Sequence, residues 1–168
     1  MPVEIVPPRS EVFDAVYVVH YPPLVRLAYV TTGSMPAAED IVQDAFVEWL
    51  RRYDDVESPV PYLRRAVVSR CTSWIRRRVV ERRHALLIGH PPAEPSVVAS
   101  PDRDAVAVRS ALARISPRQR SAVFLRFYLD LSVPEIGEAL DCPSGTVKSL
   151  LHRAMAVLHR HLGDFDDA

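Results

Sequence analysis

The chain has 168 residues and 18.9 kDa, with 48% apolar and 25% charged residues, enough for one ordinary domain or two small ones. No apolar run approaches the ~20 residues of a membrane helix. Met1 to Arg9 lacks the basic n-region of a signal peptide, and Cys71 and Cys142 stand far apart in no metal-like spacing. These features argue against membrane insertion, secretion, a disulfide framework and a zinc site, and make the cytoplasm the expected compartment. A net charge of zero hides a strong asymmetry. The 21 basic residues are 20 Arg and Lys148. Pro36 to Ser58 carries seven acids against Arg51 and Arg52, whereas Arg64 to Arg83 carries eight Arg against Glu81.

With 15 Pro and five Gly, and with helical rather than alternating apolar spacing, the fold class reads as all-α. Ser10 caps a first helix to about His20; Pro22-Pro23 breaks the chain and opens a second, which ends at Gly33. Ser34 and Pro36 open a third. Its apolar positions Ala38, Ile41, Val42, Ala45, Phe46, Trp49 and Leu50 form one broad buried face. Ser58-Pro59 opens a long, Arg-rich fourth helix to about His84. Leu63, Val67, Cys71, Trp74 and Ile75 lie on its apolar side, and Arg65, Ser69, Thr72 and Arg76 form the opposite stripe. Gly89 to Pro101 holds four Pro in thirteen residues and reads as a flexible tether. Helical signals resume over Asp104 to Ile115. Ser116-Pro117 caps a helix to about Leu129, and Ser132-x-x-Glu135 is a capping box opening a helix to about Leu140. After the turn Asp141-Cys142-Pro143, Ser144 caps a last helix to about His161. Two small helical domains follow, 10–84 and 104–163, joined by a Pro-rich linker, 85–103.

Ser132 to Met155 reads as a helix-turn-helix. Gly137 sits where two helix backbones approach. Ile136, Leu140, Val147, Leu151, Ala154 and Leu158 face inward, and Thr146, Lys148, Ser149, His152 and Arg153 face out. That donor-rich outer face suits base edges and phosphates in a major groove. Paired carboxylates in a pocket context, a Gly-rich phosphate loop and a nucleophile with a base are all missing, and the six His make no ligand set, so neither an enzyme nor a cofactor is expected.

Three segments give the chain a specific likeness. LVRLAYVTTGSMPAAEDIVQDAFVEWLRRY (24–53), PYLRRAVVSRCTSWIRRR (61–78) and ISPRQRSAVFLRFYLDLSVPEIGEALDCPSGTVKSLLHRA (115–154) together resemble a bacterial RNA polymerase sigma factor of the extracytoplasmic-function type, within it the actinobacterial sigma-E-like group with "YLRR" before the arginine cluster. The resemblance implies a promoter-specificity subunit that binds core RNA polymerase through the β′ clamp helices and the β flap. It implies core docking by Asp40, Gln43, Asp44 and Glu48. It implies −10 contacts by Tyr62, Arg65, Ser69, Thr72, Arg76 and Arg77, with a flipped base held near Asp54 to Pro61. It implies −35 contacts by Ser144, Thr146, Lys148, Ser149, His152 and Arg153, and an anti-sigma protein as a further class of partner. The sequence departs from the family at Ser69, Ser73, Asp141, Leu150 and Met155, where Asn, Asp, Gly, Arg and Arg are usual. Trp74 reads as core on its helical phase. The reading from a different class is a helix-turn-helix regulator that works without core polymerase.

Overall fold

The structure, a computed structural model, describes residues 9–88 and 103–163. The expected tether, Gly89 to Pro101, and the acidic end at Asp164 to Asp167 lie outside them. The described residues form helices α1 (Arg9–Thr32), α2 (Met35–Arg51), α3 (Pro59–Leu87), α4 (Arg103–Ala113), α5 (Pro117–Phe127), α6 (Val133–Leu140) and α7 (Ser144–Leu162), with a 3-10 turn at Tyr53–Asp55. No strand occurs among them.

Local chemistry sets most of the boundaries. The Ser34 hydroxyl accepts from the Ala37 amide and Pro36 follows in the first turn of α2. Ser116 with Gln119, and Ser132 with Glu135, form complete capping boxes at the starts of α5 and α6. Two expectations are corrected. Pro22 and Pro23 do not break the chain: α1 runs through them. The carbonyls that lose their helical partners belong to Val18 and Val19, both exposed residues. Phe13, Tyr17 and Tyr21, spaced four apart, stack along α1, and all three rings meet Phe46 of α2, which anchors the helix just before the prolines. Ser144 is not a cap either; Pro143 occupies that position and Ser144 is the first helical residue of α7.

The core begins in α1–α3, where Leu27, Val42, Trp49, Leu63, Val67 and Cys71 are fully buried. Each large apolar side chain there is worth about 1.5–3 kcal/mol against exposure. Burial pushes the Cys71 thiol up to about 12, so it is an inert core residue. Leu50, expected inside, is 41% exposed. The same apolar cluster continues into Ala122, Leu125, Ile136, Leu140 and Val147 of α5–α7. A second cluster, Ala111, Ile115, Ala154 and Leu158, fastens α4 onto α7. The two halves of the chain are therefore packed against each other, α5 on α1 and α6 on α3.

The helix-turn-helix corner depends on Gly137. A Cβ there would lie 2.7 Å from the Cys142 carbonyl oxygen, a backbone atom that cannot swing away, whereas a Cβ on Gly145 meets nothing within 4 Å. Gly137→Ala is expected to cost about 1–3 kcal/mol through overpacking. Gly145→Ala is expected to be neutral or stabilising by up to about 1 kcal/mol. Urea unfolding of both variants checks the contrast.

Candidate functional site

Three surfaces carry the polar residues singled out in the sequence. On α2, Asp40, Gln43 and Asp44 are exposed on the side opposite Ile41, Val42 and Ala45. Glu48, one turn further on, is half-buried and accepts from the Arg70 guanidinium, which also lies 3.8 Å from Asp44. Arg70 of α3 therefore orients two of the four α2 side chains. Charge-based reading passed over Val47, which is 45% exposed. Its spacing from Gln43 (four) and Asp44 (three) was the available signal, because those intervals share a helix face. Leu50 extends the same row, so the acidic face carries an exposed apolar patch.

On α3 the expected stripe is assembled in part. Arg65, Ser69, Thr72 and Arg76 line one wall of a cavity of about 460 Å3, between α3 and the α5–α6 pair. Ser116, Arg118, Ser121 and Asp141 lie on the opposite side. The Arg65 guanidinium meets Asp141 Oδ1 at 3.0 Å. Arg77 is exposed and lies outside the cavity wall. Tyr62 lies outside it too. It packs half-buried on the core with the Arg52 guanidinium 5.9 Å from its ring centre. Burial, then the nearby Glu48 carboxylate, holds its phenol above the ordinary tyrosine range. Trp74 packs half-buried against the core, as its phase indicated, with Arg78 over its ring at 5.4 Å.

On α7, Ser144, Thr146, Lys148, Ser149, His152 and Arg153 are all exposed, while Val147, Ala154 and Leu158 are buried. The Ser149 hydroxyl donates to the Gly145 carbonyl at 3.0 Å. Leu150 and Met155, the two apolar departures, are half-buried and pack on the main and the smaller cluster respectively. The turn before α7 uses Asp141 in the left-handed region, φ 50°, a conformation Asp tolerates better than most residues. Among the described residues no group of His, Cys, Asp and Glu is placed to hold a metal ion, and no helix is long and apolar enough to cross a membrane.

Comparison with known proteins assigns these surfaces to two family models. Residues 16–80 match Sigma-70 region 2 and residues 105–158 match Sigma-70, region 4. The RNA polymerase sigma-E factor of Streptomyces coelicolor is 33% identical over 128 residues, covering 74% of this chain and 71% of that protein. The ECF RNA polymerase sigma factor SigM of Mycobacterium tuberculosis is 33% identical over 156 residues, covering 90% and 77%. Among solved structures, the sigma factor RpoE in complex with the anti-sigma factor NepR from Bartonella quintana superposes with a TM-score of 0.78, at 24% identity over 91% of this chain and 98% of that one. CnrH in complex with the cytosolic domain of CnrY superposes at 0.67, with 22% identity, 93% and 90% covered. These two structural likenesses concern the fold.

Proposed function

The chain belongs to the extracytoplasmic-function RNA polymerase sigma factors, and we propose that its three polar faces divide that family's work among themselves. As a sigma factor it is a promoter-specificity subunit, with core RNA polymerase and promoter DNA as its partners. It adds binding and orientation to the polymerase and performs no bond chemistry itself. Its place of action is the cytoplasm, where polymerase and promoters are.

The exposed row of α2 docks on core polymerase. Asp40, Gln43 and Asp44 supply charge and an amide to a basic helical partner, and Arg70 holds Asp44 and Glu48 in place. Val47 and Leu50 supply the desolvated centre that a charged rim alone lacks. The α3 stripe follows the separated non-template strand, Arg65 and Arg76 on phosphates and Ser69 and Thr72 near bases. Arg77 extends the phosphate track, and Tyr62 forms the edge of the region at which the strands part. The α7 face enters the −35 major groove, with Lys148 and Arg153 on the backbone and Ser144, Thr146, Ser149 and His152 toward base edges. The tether lets two weak contacts act on one promoter. Anti-sigma proteins, one of which is seen on a structural relative, are partners that compete for these surfaces.

The observation that carries the reading is the coexistence, on one chain, of an exposed acidic-apolar row on α2 and an exposed cationic-hydroxyl face on α7, inside segments that match regions 2 and 4 in that order. A regulator acting without polymerase accounts for α5–α7 only and leaves 16–80 without a role.

Two pairs of substitutions separate the tasks. Asp40→Arg with Asp44→Arg is expected to abolish co-purification with core polymerase while leaving the thermal transition near wild type; unchanged co-purification would remove the docking assignment. Lys148→Ala with Arg153→Ala is expected to weaken duplex binding and to reduce the slope of log affinity against log salt by roughly one unit per lost phosphate contact. An unaltered slope in a salt titration would remove the recognition-helix assignment.

A further inference from the structure

The loop between α2 and α3 joins the helix assigned to polymerase docking to the helix assigned to the separated strand. Its shape therefore decides what a base arriving at the start of α3 meets. Its own hydrogen bonds are sparse. The Asp55 amide donates to the Arg52 carbonyl at 3.0 Å, but the Val56 amide reaches the Tyr53 carbonyl only at 3.5 Å. Ser58 stands at the cap position of α3 without a side-chain bond, and Pro59 and Pro61 have no amide to donate. Backbone bonding leaves residues 53–58 weakly specified, so side-chain anchors must fix them.

Three anchors do so. Val56 packs half-buried on the core. The Tyr53 ring stacks on Trp49, with centroids 5.7 Å apart, and Trp49 stacks in turn on Phe13 of α1 at 5.4 Å. The third anchor is Arg9, the first residue of α1. Its guanidinium carbon lies 4.4 Å from the centre of the Tyr53 ring, and its Nη2 lies 3.4 Å from Asp54 Oδ2. One cation thus holds two successive residues of the loop. It also offsets charge. Asp54, Asp55 and Glu57 are all exposed, so the loop turns three carboxylates toward an approaching polyanion, and Arg9 offsets one of them.

The origin of this clamp is informative. The match to Sigma-70 region 2 begins at residue 16. Arg9 and Phe13 precede it, so the clamp reaches the loop from outside the matched segment.

We propose that Arg9 is a positioning residue for promoter choice: from the start of α1 it clamps Tyr53 and Asp54, fixes the shape of the 53–58 loop, and so sets how strictly the chain discriminates the base of the separated strand that lies before α3. The proposal rests on the reading of this loop, next to Tyr62, as the place where the strands part and a base is held. Arg9 touches no nucleotide itself. The Arg9–Asp54 pair is largely exposed, 52% and 84% by side chain, so it contributes little to global stability. A guanidinium over an exposed aromatic ring adds a modest attraction of its own. Acting together on a short loop seated on a packed aromatic ladder, the two contacts narrow the conformations available to the loop. Recognition of a base needs its surroundings held closely in place, so a looser loop discriminates less even in a fully folded chain.

Selection from a library tests this. The full chain, wild type or variant, is bound to core polymerase and offered fork DNA, a duplex that ends in a short single-stranded segment of randomised sequence. The bound and unbound pools are sequenced. The wild type is expected to enrich particular bases at fixed positions of the segment. Arg9→Ala is expected to lower the enrichment at one of those positions by about three- to tenfold, with the other positions, duplex binding and the thermal transition near wild type. Arg9→Lys, which keeps a cation over the ring, is expected to recover about half or more of the lost enrichment. Unchanged enrichment in Arg9→Ala would overturn the clamp. So would an equal fall at every position, or the absence of any recovery in Arg9→Lys. A wild-type chain that enriches no base at any position would instead remove the base-holding reading of the loop, and the role of Arg9 with it.

Discussion

The contact on which the rest of the structure depends is the seating of α5 and α6 against α1 and α3. It merges the apolar residues of both halves, from Leu27 and Trp49 through to Leu125 and Ile136, into one buried cluster. Few of the described residues of α4–α7 have another place to bury apolar surface. The smaller cluster between α4 and α7 contains only four buried side chains, little for a unit of that size to stand on. The polar groups at the seam are mostly paired, the buried Nε of Arg120 being the exception. Thr31 bonds both its own helix and Ser121, and Arg120 satisfies a carbonyl at the end of α1. An unpaired buried polar atom there would cost about 1–3 kcal/mol, so these bonds fix where the halves meet more than how tightly they hold.

That arrangement explains why charge is distributed as it is. A neutral chain with four acids on α2 and eight arginines on α3 sets an acidic face beside a basic one without a net charge that attracts polyanions globally. Arg70 joins the two, using one cation of the basic helix to order the carboxylates of the acidic one. Arg65 is similarly engaged by Asp141. Some of the arginines that composition alone would count as free for nucleic acid are thus spoken for inside the fold, and access to them depends on the relative placement of the halves.

Local features were the most legible in the sequence. The Ser34 and Ser116 caps, the Ser132–Glu135 box, the buried face of α2 and the outward face of α7 follow from capping chemistry and a 3.6-residue period, which act over a few residues. Errors came where a tertiary contact outvoted a local rule. Pro22-Pro23 stays within α1, whose aromatic row just before them packs on Phe46, and Leu50 shares the exposed row of Val47, three residues earlier. The seam between the halves left no trace. Thr31 and Ser121 are 90 positions apart and are common residue types whose pairing has no periodic signature. Likewise nothing about Asp141 in isolation marks it as the partner of an arginine 76 residues earlier.

The central claim is that this polypeptide confers an address on core RNA polymerase. Run-off transcription of fragmented genomic DNA by core enzyme, with and without the purified chain, followed by mapping of the RNA 5′ ends, addresses it directly. The account predicts a discrete set of starts that requires the chain, each preceded by the same two short sequence elements at one fixed spacing. A set of starts identical to that of core enzyme alone would contradict it.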